Sequence, residues 1–239
     1  YRLGESPHGR NLVLKGALVF LAWKAPLTRP TRDMDFLGYT HNSVENLARM
    51  IQDVCMQPVE ADGIVFDPQS VVAEIIKEEA DYEGVRVSFL GFLGRAKIQM
   101  RLDVGFADVV TPPPNELELP TIFENMSKPR LRLYPPETVI SEKFQAMVTL
   151  GMINSRMKDF YDLAVIAQRT QLDGATLAAA IAATFARRKT PLPHERPLAL
   201  TSQFSEDSAK LRQWQAFLNK NRIAAASLSA TVALLDLLL

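Results

Sequence analysis

The sequence predicts an α+β protein in which helices flank a mixed or antiparallel sheet, followed by a C-terminal helical domain. Two observations predict this class. Between about residues 63 and 106, four apolar runs with mostly period-two character are punctuated by Gly84, Gly91 and Gly94, as expected of neighbouring antiparallel strands. From Glu137 onward, apolar residues recur at helical spacing. We therefore divide the chain into an αβ domain, 1–133, and a helical domain, 134–239.

The composition bounds the class of protein. The chain has 239 residues, 47% of them apolar, which suffices for a substantial core. Acidic and basic residues balance at 27 each, so the net charge predicts neither nucleic acid nor a membrane as partner, although a local basic strip is sufficient for RNA. The single cysteine, Cys55, cannot form an internal disulfide, which favours a reducing, cytoplasmic location.

Both ends of the chain carry a signal. The first residue is Tyr1 rather than methionine, and "YRLGESPHGR" has no apolar signal core, so we expect a truncated N-terminus. The most apolar stretch, 224–239, is too short to span a bilayer and contains Asp236, which predicts a packed terminal helix.

In the first domain, "NLVLKGALVFLAW" (11–23) predicts a buried strand that turns at Gly16 into a helix, and "DMDFLG" (33–38) predicts a second strand. Ser43 is the expected N-cap of a helix that ends before Pro58. Four further runs predict neighbouring antiparallel strands: "GIVFD", "SVVAEIIKEE", "GVRVSFLGFLG" and "AKIQMRLDVGF".

A proline-rich stretch, 111–120, and the segment "KPRLRLYPPE" (128–137) precede the helical part. Four helical segments then follow: "ETVISEKFQAMVTLGM", "RMKDFYDLAVIAQR", "DGATLAAAIAATFARRK" and "EDSAKLRQWQAFLNKN".

Three carboxylates are candidate metal ligands. If 33–36 are extended, Asp33 and Asp35 point to the same side of a strand, where like charges are costly unless a cation or arginines lie between them. Asp103 ends the patterned strand "AKIQMRLDV" on its polar face. Three acids from two strands could hold two metal ions about 4 Å apart, a clamp for displacement at phosphorus. The bland alternatives are a solvated turn at Asp33 to Asp35 and a turn cap at Asp103.

Gly16 is the candidate phosphate site. It stands at a strand end before a helix, where backbone N–H groups attract anions, although glycine is also the routine turn residue. The ordered set of strand, Gly16, helix, paired aspartates and Asp103 is more specific than any of its members.

These residues resemble the AbiEii/AbiGii toxin family, within the polymerase β-like nucleotidyltransferase superfamily. Four segments match in order: "LKGALVFLAW", "RPTRDMDFLG", "LDVGFAD" and "PPETVISEKFQAMVTLGMINSRMKDFYDL". The resemblance implies a nucleotidyltransferase-type sheet domain in which Asp33, Asp35 and Asp103 bind Mg²⁺. It places Gly16 against the phosphates of a nucleoside triphosphate, with Ala17 where many relatives have serine.

The resemblance implies further residues. Thr31 lies where relatives carry Ser or Thr near the triphosphate, and Arg32 adds positive charge there. Lys143 would neutralise the triphosphate from the helical domain, and Asp159 would orient Lys143 or Arg156. From the residues alone, Lys143 at the edge of an apolar helix face could instead extend to solvent. Asp159 and Asp162 could simply pair with Arg156 or Lys158.

The implied function is Mg²⁺-dependent transfer of a nucleotide to a hydroxyl, at the 3′ end of tRNA, by the toxin of a bacterial toxin–antitoxin or phage-defence pair. The expected partners are a nucleoside triphosphate, tRNA or another RNA, and a cognate antitoxin, with no membrane. Candidate RNA contacts are "KPRLR" (128–132), "ARRK" (186–189) and "NKNR" (219–222). The alternatives are a nucleotide-binding regulator of the same fold and a small-molecule nucleotidyltransferase of the aminoglycoside-modifying kind.

Overall fold

The computed structural model describes residues 1–23, 31, 33–77 and 83–239. These residues form two compact units. The first extends to Tyr134 apart from Val109–Pro113, which group with Pro135–Leu239 in the second. The first unit contains a seven-stranded mixed sheet with helices and the second is helical, so the predicted α+β class is confirmed. The domain assignment 1–133 and 134–239 stays a prediction.

The sheet of the first unit has seven strands within the described residues. Its strands are β1 (Leu12–Lys15), β2 (Met34–Gly38), β3 (Ile64–Lys77), β4 (Glu83–Leu93), β5 (Ala96–Gly105), β6 (Asn115–Glu118) and β7 (Arg130–Leu133). Their order is β3-β4-β5-β2-β1-β7-β6. The pairs β1/β7 and β2/β5 are parallel and the others are antiparallel. As a result β2, which carries the paired-aspartate segment, lies between β1 and β5.

In the described part of the first unit the chain forms three α-helices: α1 (Arg2–Glu5), α2 (Val19–Ala22) and α3 (Val44–Met56). The Ser43 hydroxyl accepts a hydrogen bond from the amide of Asn46, so Ser43 caps α3 as predicted. The apolar face of α3 packs on β3 and β4 and buries Leu47, Met50, Ile51, Val54 and Cys55. Helix α3 therefore covers one face of the sheet at β3 and β4.

The second unit contains α4 (Pro136–Leu150), α5 (Met157–Arg169), α6 (Gly174–Arg187), α7 (Ser202–Ser205), α8 (Ser208–Asn221) and α9 (Leu228–Leu238). Aromatic pairs lie in its core: the Phe160 and Phe204 rings stack at 5.1 Å and the Phe144 and Phe185 rings lie 5.5 Å apart. Helix α9 packs against α5, as expected of a packed terminal helix. None of the helices in the described ranges is long and apolar enough to cross a membrane.

The structure differs from the sequence prediction in β3. The runs "GIVFD" and "SVVAEIIKEE" are predicted as two strands, but residues 64–77 form one strand with an irregularity between Asp67 and Val72. The Ser70 hydroxyl bridges that irregularity, because it accepts a hydrogen bond from the Leu90 amide and donates one to the Asp67 carbonyl. Residues 78–80 of the second run lie outside the described ranges.

β3 lies at one end of the described sheet, and Val65, Val72 and Ile75 on it are exposed. At the other end, β6 lies in the proline-rich stretch 111–120 and β7 in the segment 128–137, and the sequence predicts no strand in either. They were not predicted because four residues are too few to show a period and the flanking prolines dominate the local signal.

Candidate active site

Five charged residues lie opposite one another on adjacent strands of the first unit. The register pairs Glu74 of β3 with Arg86 of β4, Arg86 with Asp103 of β5, Asp103 with Asp35 of β2, and Asp35 with Lys15 of β1. Because directly opposite residues point to the same side of a sheet, the five side chains share one face. We call them the charged row.

The other face at this level belongs to the core. In four of these strands the neighbouring residue on the same side of the charged row is buried, and these residues lie directly opposite one another: Leu14, Phe36, Val104 and Val85. Hydrophobic packing therefore fixes the register that aligns the charged row.

Arg86 and Asp103 form a bidentate ion pair within this row. Arg86 Nε donates to Asp103 Oδ1 at 2.7 Å and Arg86 Nη2 donates to Asp103 Oδ2 at 2.6 Å. The side chains are 29% and 13% exposed, so the pair is partly withdrawn from water. The hydrogen bond to Asp103 outweighs desolvation and raises the pKa of the Arg86 guanidinium, with smaller contributions from Asp33 and Glu74.

Asp33 precedes β2 and has a looser partner. Arg101 Nη1 lies 3.4 Å from Asp33 Oδ1, and both side chains are more than one third exposed. A pair this long and exposed contributes little to stability. Asp33 is therefore held much less tightly than Asp103.

Gly16 lies directly against Asp35. Its φ is +72°, and a Cβ atom built there would lie 2.9 Å from Asp35 Cγ and closer still to Oδ2. Glycine is thus required at this position both by the backbone conformation and by the carboxylate next to it. The buried Ala17 follows in a 3₁₀ turn, Gly16–Leu18, that leads into the four-residue helix α2.

Two further predicted residues lie near the start of β2. The Thr31 hydroxyl donates to the backbone carbonyl of Asp33 at 3.1 Å, so it braces the aspartate segment. Arg32 lies outside the described residues.

Lys15, at the end of the charged row, has a carboxylate partner. Its Nζ lies 3.2 Å from Asp108 Oδ2, and both side chains are mostly buried. Asp108 follows β5 in the segment "LDVGFAD", so the third-carboxylate segment brings two acids to this region.

Lys143 and Asp159 lie in the second unit and contact each other. Lys143 Nζ on α4 donates to Asp159 Oδ1 at 2.5 Å and to Asp162 Oδ2 at 3.0 Å on α5. Arg156 Nε lies 2.6 Å from Asp159 Oδ2. Both aspartates are buried, and the two cations balance their two charges. We call these four residues the α4–α5 charge cluster.

The pKa of Lys143 reflects this balance. Burial alone would lower it, but the Asp159 and Asp162 carboxylates outweigh burial and raise it above its usual range. Lys143 is therefore a fixed cation, and the alternative in which it extends to solvent does not describe its main contacts. Two of its three N–H donors are used by the aspartates.

The donors on the sheet face fit a hard cation. Asp33 and Asp35 offer carboxylate oxygens two residues apart, and Mg²⁺ is usually held by one or two carboxylates together with substrate phosphates. Within the described ranges, no three His, Cys, Asp or Glu side chains are gathered closely enough to hold one ion. Asp35 and Asp103 are paired in register, but Asp103 is engaged by Arg86. The metal role of Asp33, Asp35 and Asp103 stays a prediction.

Three residues of this region, Arg86, Arg101 and Asp108, were not predicted from the sequence. Arg86 sits on the polar side of "GVRVSFLG", between buried Val85 and Val87. A charged residue at this position of a strand was the sequence signal from which Arg86 could have been singled out. Its partner could not be identified without knowing the register of β4 against β5.

The three basic segments differ in their surroundings. In "KPRLR", Arg130 pairs with Glu116, Lys128 with Glu118, and Arg132 donates to the Arg10 carbonyl. In "ARRK", Arg188 lies near Glu142 and donates to Gln145. In "NKNR", Lys220 and Arg222 are exposed.

The chain is similar in sequence to a known protein family and in fold to known crystal structures. A family model described as nucleotidyl transferase AbiEii toxin, type IV TA system, matches residues 1–232. Among crystal structures, JHP933 from Helicobacter pylori is similar at a TM-score of 0.55 and 18% identity, covering 99% of this chain and 83% of that chain. A second H. pylori protein, provisionally described as a nucleotidyltransferase, gives 0.55 and 17%, covering 99% and 86%. At these identities the structures indicate a shared fold alone. Curated protein sequences give no match.

Proposed function

We propose that this chain, which belongs to the AbiEii family of nucleotidyl transferase toxins of type IV toxin–antitoxin systems, transfers a nucleotide to the 3′ end of tRNA. The chain is a nucleotidyltransferase by family, with a nucleoside triphosphate as substrate and an antitoxin as the other component of its system. Mg²⁺ dependence, the tRNA acceptor and action in the cytoplasm are our proposals. The observation that supports Mg²⁺ dependence is the approach of Asp35 to Gly16, with Asp103 directly opposite Asp35 on the next strand.

In the proposed reaction, the acceptor hydroxyl oxygen bonds to the α-phosphorus and its proton passes to solvent, while the bond from the α-phosphorus to the bridging oxygen breaks and pyrophosphate leaves. Bound Mg²⁺ would lower the pKa of the attacking hydroxyl and neutralise charge on the leaving group. Asp33 and Asp35 would hold the ion together with the substrate phosphates, and Asp103 would complete the set.

The turn at Gly16 is the proposed phosphate contact. Asp35 already occupies the space beside Gly16, so phosphates held by a metal on Asp35 would come close to the backbone of the turn. Ala17 offers no hydroxyl, and binding there depends on backbone N–H groups. We assign Thr31 to bracing the segment that carries Asp33, and Arg32 to adding positive charge.

Lys143 is proposed to neutralise the triphosphate, with Asp159 as its positioning partner. The contacts of Asp159 with both Lys143 and Arg156 support this assignment, because one buried carboxylate fixes two cations. The remaining N–H of Lys143 is the donor we assign to the substrate.

A nucleotide-binding regulator is the second candidate, and the observation that favours it is Ala17 in the place of a serine hydroxyl. A small-molecule nucleotidyltransferase would use the same carboxylates with another acceptor. The acceptor therefore distinguishes the candidates.

The test incubates purified protein and Mg²⁺ with each labelled nucleoside triphosphate and total tRNA. We expect label at the tRNA 3′ end, lost in Asp35→Asn and kept in Asp173→Asn. Asp173 caps α6 through Thr176, and asparagine also serves as an N-cap, so this variant controls for loss of a carboxylate elsewhere. Triphosphate binding without transfer to any acceptor would favour the regulator. Label on a small hydroxylated compound would favour the third candidate.

A further inference from the structure

We propose that Arg86 is a positioning residue of the nucleotidyl transfer site, holding the Asp103 carboxylate beside Asp35 so that Asp103 can join Asp33 and Asp35 in binding a divalent cation. The inference rests on the proposed function, because it assumes a metal ion on these carboxylates. It adds a residue on β4 that lies outside the four sequence segments resembling the family.

The geometry of the ion pair supports positioning. Both oxygens of Asp103 are engaged, by Arg86 Nε at 2.7 Å and Nη2 at 2.6 Å, so the plane of the carboxylate is fixed as well as its place. Arg86 and Asp103 are direct partners in the β4/β5 register, within a run of nine consecutive residue pairs. The Arg86 guanidinium that orients Asp103 therefore lies on a regular strand, β4, next to β5, which carries Asp103.

The pair leaves room for a metal bond. An ionised carboxylate has about four lone-pair positions, and the guanidinium uses two of them. Each oxygen keeps one, so Asp103 can coordinate a cation through a single oxygen while Arg86 still holds it. Hydrogen bonds of this kind to metal-binding carboxylates orient the ligand, and their loss typically lowers metal affinity about 10- to 100-fold.

The charges in the row give Arg86 a second effect on the same group. Asp35 and Asp103 are adjacent in register, and like charges directly opposite each other repel. Arg86 lies on the far side of Asp103 from Asp35 and draws the carboxylate into a fixed position despite that repulsion. Without Arg86, the Asp103 carboxylate is expected to lose this fixed position.

A surface pair on the same sheet provides the comparison. Arg130 Nε lies 3.0 Å from Glu116 Oε1 across β6 and β7, and both side chains are more than half exposed. It is also a cross-strand arginine–carboxylate pair, but its carboxylate lies outside the charged row. Arg130→Gln is therefore a matched control for loss of one cross-strand ion pair.

The first measurement is Mn²⁺ binding to the full chain, by paramagnetic resonance or calorimetry without nucleotide. Arg86→Gln should bind Mn²⁺ about 10- to 100-fold more weakly than the unaltered chain, and Arg130→Gln should bind it equally well. Arg86→Lys should recover part of the affinity, since it restores the charge but not the two-point contact. Equal or tighter binding by Arg86→Gln would overturn the proposal. Thermal unfolding of each variant confirms that folded proteins are compared.

A double-variant cycle asks whether Arg86 acts through Asp103. In an Asp103→Asn background, Arg86→Gln should cause no further loss of Mn²⁺ affinity or of kcat, because the group it positions is already gone. A further loss of equal size would overturn positioning and assign Arg86 a direct contact of its own. A merely structural pair would lower the unfolding temperature without moving Mn²⁺ affinity.

Asp35→Asn separates this inference from the proposed function. If Asp35→Asn loses Mn²⁺ and Arg86→Gln does not, positioning by Arg86 is wrong while the metal site stands. If the unaltered chain binds no Mn²⁺, or Asp35→Asn binds it normally, the proposed metal site fails and the inference fails with it.

Discussion

The carboxylate of Asp35 lies in the space that a side chain on residue 16 would need. A Cβ atom on Gly16 would come within 2.9 Å of Asp35 Cγ, and the backbone of Gly16 is in the left-handed region at φ +72°. The residue that follows β1, Gly16, therefore contacts Asp35 near the start of β2. The predicted phosphate contact and a predicted metal ligand lie next to each other here.

Gly16→Ala should abolish nucleotide transfer, because the methyl group displaces the Asp35 carboxylate. The expected loss of stability is about 1–2 kcal/mol for the left-handed backbone plus about 1–3 kcal/mol for overpacking. Gly94→Ala is the matched control: Gly94 also has positive φ, +57°, but a Cβ atom added there would meet nothing within 4 Å. Chemical unfolding and tRNA labelling of both variants check this. Full activity of Gly16→Ala would contradict the close approach.

Lys143→Met should destabilise the chain by about 3–5 kcal/mol, since it removes the cation that contacts two buried carboxylates. Asp162 is the acid that loses its nearest lysine, whereas Asp159 keeps Arg156. Adding Asp162→Asn to Lys143→Met should therefore recover much of the stability and none of the nucleotide transfer. Chemical unfolding together with the labelling assay separates the two roles. Recovery of activity in the double variant would show that Lys143 is needed only for folding.

Asp62→Asn should destabilise the chain at neutral pH but not in acid. The hydrogen bond from Arg2 holds the pKa of Asp62 below its ordinary value of 3.8, with help from the Ile64 amide. A carboxylate with a lowered folded-state pKa contributes stability above the unfolded-state pKa, and that contribution is lost as the pH falls through the folded-state pKa. The difference in urea midpoint between Asp62→Asn and the unaltered chain should thus be constant from pH 7 to about pH 5 and shrink below about pH 4. A difference that grows in acid would contradict the assignment.

Cys55 should resist alkylation in the folded chain. Burial on α3 raises the pKa of its thiol to about 11, so about one thiol in a thousand is ionised at pH 8, and the thiolate is the reactive form. Mass spectrometry after iodoacetamide treatment should show slow labelling at pH 8 and rapid labelling in urea. Fast labelling of the folded chain would mean that α3 leaves the sheet readily.

Lys220 and Arg222 should contribute more to RNA binding than Lys128 and Arg130, because the latter are paired with glutamates. Lys220→Gln with Arg222→Gly should weaken tRNA binding and reduce the slope of log affinity against log salt by about 0.7 for each cation that contacts a phosphate. Glycine suits residue 222, whose φ is 55°. Lys128→Gln with Arg130→Gln is the control and should change the slope less. The opposite ranking would move the RNA contact to the sheet unit.

Local pattern sufficed where the chemistry depends on neighbours in sequence. The strand that carries Asp35, the turn at Gly16 and the Ser43 cap are properties of a few consecutive residues. The α+β class and the AbiEii family followed from the whole series of segments. Arg86 was missed because its meaning depends on which residue of β5 lies opposite it. Strand register depends on long-range packing, here of Val85 against Val104, and no single segment contains that information.

The same limit explains the α4–α5 charge cluster. The motif resemblance named Lys143 and Asp159, and helical spacing suggested that Arg156 could pair with Asp159, which it does. That Lys143 also reaches Asp162 depends on how α4 packs against α5. The roles of these residues in catalysis stay predictions until the variants are assayed.

The irregularity in β3 bears on solubility. A long outer strand with exposed Val65, Val72 and Ile75 offers a row of backbone groups on which another chain could build a continuing sheet. The break between Asp67 and Val72 contains Pro68, which has no N–H to donate, and it divides the strand into two shorter stretches. The break thereby protects the chain from edge-to-edge aggregation, and straightening this segment would remove the protection.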